Sequence, residues 1–191
     1  MEKILYIDYS LYEMFFIFVF WSAIGWLIEV ADMFIEAGEF QNRGFLHMPL
    51  CPIYGLGMLL LCVILKDVTH SYPVLFICGM TVCTVFEYFV GWLLEKLFNA
   101  RWWDYSHMRF NLKGRVCLRN AVFFGLGTIL VIVVIEPFIE RVIGMIPVHF
   151  GLAAITLISA ALIIDVITSV RKAYAYGKDK NKPFVIFKSH R

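Results

Sequence analysis

The sequence predicts an all-α membrane protein, a polytopic helix bundle of about five transmembrane helices forming a single domain over residues 1–191. Three observations predict it. The chain is 61% hydrophobic and 17% charged, whereas an ordinary soluble domain is nearer half apolar and a quarter charged. The apolar residues gather in five runs separated by polar or Gly/Pro-containing breaks. Two of those runs carry carboxylates at helical spacing, the mark of a bundle with a polar interior.

The elements follow in order. Residues 1–11 are a short polar-aromatic lead, and the first span is expected over about 12–35. That run is too long, and its flanks too poor in Lys and Arg, for a cleaved signal peptide. Residues 36–51 are polar, with Gly38, Gly44 and Pro49 as breakers, and form a first loop that can dip back into the membrane. The second run, about 52–65, is short for a span of roughly 20 residues, so part of that loop can complete it. Pro73 opens the third, about 73–98, and a polar loop over 99–117 follows. The fourth and fifth spans are expected over about 118–139 and 147–170, with a basic tail over 171–191.

Positive charge sets the orientation. The loop after the third span holds Lys96, Arg101, Arg109, Lys113, Arg115 and Arg119. The tail holds Arg171, Lys172, Lys178, Lys180, Lys182, Lys188 and Arg191, and Arg43 lies in the first loop. The opposite face has only Lys3, Lys66 and Arg141. The positive-inside rule then predicts a multi-pass cell-membrane protein with a cytoplasmic C-terminus. A net charge of +2 gives no case for nucleic acid as a partner, and membrane lipid is the expected surrounding.

In the first span Trp21, Gly25, Glu29, Asp32 and Glu36 follow spacings of 4, 4, 3 and 4, so they share one helix face. In the third, Thr84, Glu87, Gly91 and Glu95 follow 3, 4 and 4. Both stripes rise from the loops that hold Arg43 and Arg115, which predicts a shared polar cluster near the cytoplasmic side. Gly44 and Gly114 permit the tight turns that would bring those arginines back onto the bundle, within salt-bridge distance of Glu29 or Glu87. Asp165 reads as a local helix-end charge, and Glu136 and Glu140 as solvated.

Other motifs are weaker. His47 with Cys51, and His107 with Cys117, are two spaced pairs in different loops and a poor zinc signature, so no metal is assigned. Five cysteines without a CxxC pair indicate neither a disulfide framework nor a zinc ribbon. No GxxxxGK[ST] loop occurs, so ATP hydrolysis by that route would need another subunit, and no cofactor is expected.

The ordered blocks GWLIEV (25–30), NRGFLHMPLCPIYGLG (42–57), EYFVGWLLEKLF (87–98), WDYS (103–106) and FNLKGRVCL (110–118) resemble the ABC-transporter type IV family, the CmpB-like membrane proteins. The resemblance implies an ABC-transporter permease, a membrane subunit working with a separate ATPase subunit. It puts the family's motif residues here on Glu29, Arg43, Gly44, Pro52, Tyr54, Gly55, Glu87, Glu95, Trp103, Asp104, Tyr105, Asn111, Gly114, Arg115 and Cys117. With the two stripes this gives a polar or substrate-binding cluster of Glu29, Arg43, Glu87, Glu95, Asp104, Tyr105, Asn111 and Arg115. No catalytic residue is assigned.

Three functions remain open on these residues. The first is a transport component with the acidic faces lining a cavity. The second is an intramembrane enzyme or carrier for a lipid or isoprenoid, with Arg43 and Arg115 holding an anionic group. The third is a structural or assembly subunit, and a homo-oligomer is compatible with any of them.

Overall fold

The computed structural model describes residues 9–38, 40, 42, 44–65 and 71–179. Five helical rods account for most of them, α1 (Leu11–Ala37), α2 (Pro52–Leu65), α3 (Tyr72–Phe98), α4 (Leu118–Gly144) and α5 (Val148–Lys178). A small antiparallel hairpin, β1 (Asn111–Leu112) with β2 (Val116–Cys117), lies between α3 and α4. The protein is an all-α membrane bundle. Four rods are long and apolar enough to cross a bilayer.

Local chemistry explains the boundaries. Ser10 and Glu13 form a capping box that starts α1, with the Glu13 amide donating to Ser10 Oγ at 3.3 Å and the Ser10 amide donating to Glu13 Oε2 at 2.7 Å. Gly38 closes the helix in the left-handed region at φ 71°. In α4 the ladder loosens to a π-turn over Val131–Ile135. Pro137 supplies the cause, since it has no amide to donate and its ring crowds the carbonyl four residues back. Beyond that turn α4 runs on to Gly144, past the residue 139 at which the apolar run fades. α5 continues to Lys178, eight residues into the stretch read as tail.

The short helix α2, 14 residues and so about 21 Å, makes sense from where it begins. The segment 44–51 folds back into the bundle, burying Leu46, Leu50 and Cys51. The Cys51 amide donates to the carbonyl of Ser22, the twelfth residue of α1, at 2.8 Å. α2 therefore starts part-way along α1 and runs back towards its N-terminus. Small residues let these rods approach, with Gly25 under the Tyr54 ring, Gly55 against Ser22 and Phe18, and Gly79 against Thr128. Lipid is as apolar as leucine, so such close packing, rather than escape from water, holds the helices together. Ile17, Trp21, Met58, Leu61, Leu65, Leu75, Ile139 and Ile143 form the core.

Candidate functional site

The loop after α3 is built as a rigid unit. Asn99 ends the helix at φ 49°, and Asp104 Oδ1 then accepts from the Ser106 amide (3.0 Å) and hydroxyl (2.5 Å). The Tyr105 amide donates to the Gly114 carbonyl at 2.7 Å. Asn111 donates to the Met108 carbonyl at 2.8 Å and accepts from the Gly114 amide at 3.0 Å. Lys113 (φ 54°) and Gly114 (φ 70°) occupy the two positive-φ positions that a tight hairpin turn requires. A side chain at 114 would also strike Asp104 and Ser106. Trp103 fastens this unit to α3, its indole lying against Gly91 and donating to the Arg115 carbonyl at 2.8 Å. Asp104 and Asn111 thus shape the loop.

Glu95 is the ionic centre of that unit. Its Oε2 accepts from Arg115 Nε (3.1 Å) and Nη2 (2.9 Å) and from Arg101 Nε (3.0 Å). Arg101 also lies 3.5 Å from Asp104, and Arg115 Nη1 donates to the Tyr88 hydroxyl at 3.2 Å. The expected pairing of Arg115 with Glu87 or Glu29 is therefore corrected, because Arg115 binds Glu95. The reason is depth. The hairpin returns to the level of Gly91, where Arg115 Cβ packs, and from there the guanidinium reaches towards Glu95. Arg43 lies outside the described residues.

The deeper acids are held by tyrosines. Glu87 is 8% exposed, and its Oε1 accepts the Tyr105 hydroxyl at 3.1 Å. Glu29, on α1, accepts the Tyr54 hydroxyl at 2.9 Å and has further contacts. The Tyr105 phenol is raised above its ordinary pKa by burial first and then by the charges of Glu87 and Glu29, so it remains a donor. Two acids and two phenols from α1, α2, α3 and the loop thus share one neighbourhood. Glu87 Oε2 and, one turn earlier, Thr84 Oγ1 are buried with no hydrogen-bond partner among the described residues. Of the predicted cluster, Glu95, Asp104, Asn111 and Arg115 belong to the loop scaffold, while Glu29, Glu87 and Tyr105 form a separate centre joined by Tyr54.

Two further polar groupings differ from expectation. Asp165 is an anchor between a helix and a distant loop, accepting the His47 amide (3.1 Å), the Met48 amide (2.7 Å) and the Ser169 hydroxyl (3.1 Å). The Ser169 hydroxyl and Asp165 both lie against His47 Nδ1, at 2.9 and 2.8 Å. A nucleophilic relay needs serine and aspartate on opposite ring nitrogens, so this trio pins the loop. Glu136, expected in solvent, is 3% exposed, with Trp21 Nε1 at 3.2 Å and Cys62 Sγ at 3.8 Å. An acid beside a proline at the end of an apolar run, and a tryptophan on the Glu29 stripe, were its sequence signals.

The family described as “Putative ABC-transporter type IV” matches residues 16–170. The chain belongs to that family. Comparison with curated proteins and with solved structures found no match. The matched stretch takes in both stripes, both loops and the Asp165 anchor. As an ABC-transporter type IV family member with four rods of spanning length, the protein is a multi-pass membrane component of the ABC-transporter type.

Proposed function

We propose that this family member is the membrane subunit of a transport system and that its working site is the tyrosine-capped centre of Glu29 and Glu87. By the positive-inside count this end of the bundle faces the cytoplasm. One observation carries the reading, the buried Glu87 Oε2 that lacks a partner among the described residues while Tyr105 occupies the other oxygen. A carboxyl group buried with half its hydrogen-bonding capacity unused is costly, and such groups within spans mark ion or substrate routes.

Acids, phenols and the Thr84 hydroxyl form an all-oxygen set that suits a small cation or a cationic cargo group. The enzyme reading has less support, since Arg115 is committed to Glu95 and Tyr88 and cannot also clamp a phosphate. Power from ATP would come from a separate subunit. The test is melting of the purified protein in detergent with sodium, potassium, ammonium or ethylammonium chloride at constant ionic strength. One of these ions is expected to raise the melting temperature of the wild type and to lose that effect in Glu87→Gln. Identical melting in all four salts would contradict the reading.

A further inference from the structure

We propose that the protein moves protons between a second carboxyl centre at Glu136, on the far side of the bundle from the two loops, and the Glu29–Glu87 centre. The inference rests on the reading of the latter as a working site. Glu136 is almost fully buried where the π-turn ends, at the start of the regular helix that follows. It meets Trp21 of α1 and Cys62 of α2, while Tyr9 and Glu140 are the other titratable groups that face it. The Glu87 carboxyl is faced by Glu29, Tyr105 and Cys83, while Cys51 lies beside the Tyr54 phenol and Cys117 beside that of Tyr105. No described arginine or lysine bonds to Glu136 or Glu87.

The two centres are joined along one interface. On α1, Trp21 and Glu29 are eight residues apart, about 12 Å of rise, and on α2 Tyr54 and Cys62 have the same separation. Between them sits Ser22, with no exposed surface, its hydroxyl turned to Gly55 and without a hydrogen-bond partner among the described residues. A buried hydroxyl in that condition is uncommon, because such groups are normally paired. It can accept a proton on one side as it releases its own on the other. Water is the carrier that fills the gaps on either side of it. The Glu136 carboxylic acid gives its proton to a water, each water and the Ser22 hydroxyl takes one proton on a lone pair as it passes another to the next oxygen, and the last water protonates the Glu87 carboxylate. Each O–H bond broken is matched by one formed, and one positive charge moves.

The experiment uses the full chain in liposomes with an entrapped pH-sensitive dye and a valinomycin-clamped potassium gradient. Wild type is expected to carry protons at least tenfold faster than empty vesicles. Glu136→Gln, Glu87→Gln and Ser22→Ala should each lose most of that rate, whereas Arg109→Gln on the exposed loop should keep it. All variants are first checked for monodisperse elution and wild-type helicity. Wild-type flux equal to empty vesicles, or undiminished flux in Glu136→Gln, would overturn the proposal. Because Glu136 lies outside the cation site, failure here would leave the salt-dependent melting intact, so the two readings fail separately.

Discussion

Glu87 and Glu95 stand two turns apart on the same face of α3, yet the chain treats them in opposite ways. Glu95 is about one-fifth exposed and accepts three arginine hydrogen bonds on a single oxygen. Glu87 is nearly sealed and accepts one phenol, with its second oxygen unpartnered among the described residues. Identical side chains on one stripe thus separate into an arginine-paired acid and a phenol-capped one. A carboxylate neutralised by fixed guanidinium groups has little left to offer a ligand, whereas one held by a neutral donor keeps its charge or its proton available.

The largest expected effect would break this contrast at its ionic end. Glu95→Ala strands Arg101 and Arg115 and should cost about 2–3 kcal/mol, below the full buried-pair penalty because the group is partly solvated. A double-mutant cycle of Glu95 with Arg115, read by thermal or denaturant unfolding in detergent, should give clear coupling. The same cycle on Glu87 with Arg115 should be additive, and coupling there instead would restore the pairing corrected above.

Gly114→Ala comes next, at about 2 kcal/mol, since the substitution strains a left-handed residue and drives a methyl group into Asp104 and Ser106. Near-wild-type melting would mean that the hairpin is not the rigid support described. Tyr105→Phe keeps the ring and removes one donor, for a loss of about 1 kcal/mol. Glu87→Gln should be the mildest, under about 1 kcal/mol, because its amide oxygen still accepts from Tyr105 and no arginine is left unpaired. A loss as large as that of Glu95→Ala would erase the distinction.

Much of the fold was legible because each helix is an apolar run ended by Gly, Pro or charge. The acidic stripes were equally plain from their spacing. The partners were not, for a physical reason, because spacing gives a face while the depth of a returning loop depends on its turn. The positive-φ pair Lys113–Gly114 and the Trp103 contact with Gly91 set Arg115 at the level of Glu95, and nothing local to Arg115 reveals this. Tyr54 was hidden as one aromatic residue in an apolar helix, although the family motif contained it. Asp165 meets His47 across 118 residues of sequence, a contact that no periodicity can show.

The measurement that tests the division between the two acids most directly is cation binding by Glu87→Gln and Glu95→Gln. It should be followed by calorimetry at a temperature where both stay folded, using whichever of the four ions most raises the wild-type melting temperature. The predicted result is wild-type affinity within about threefold for Glu95→Gln, under 0.7 kcal/mol, and no detectable binding for Glu87→Gln. Undiminished binding by Glu87→Gln together with loss in Glu95→Gln would contradict the account.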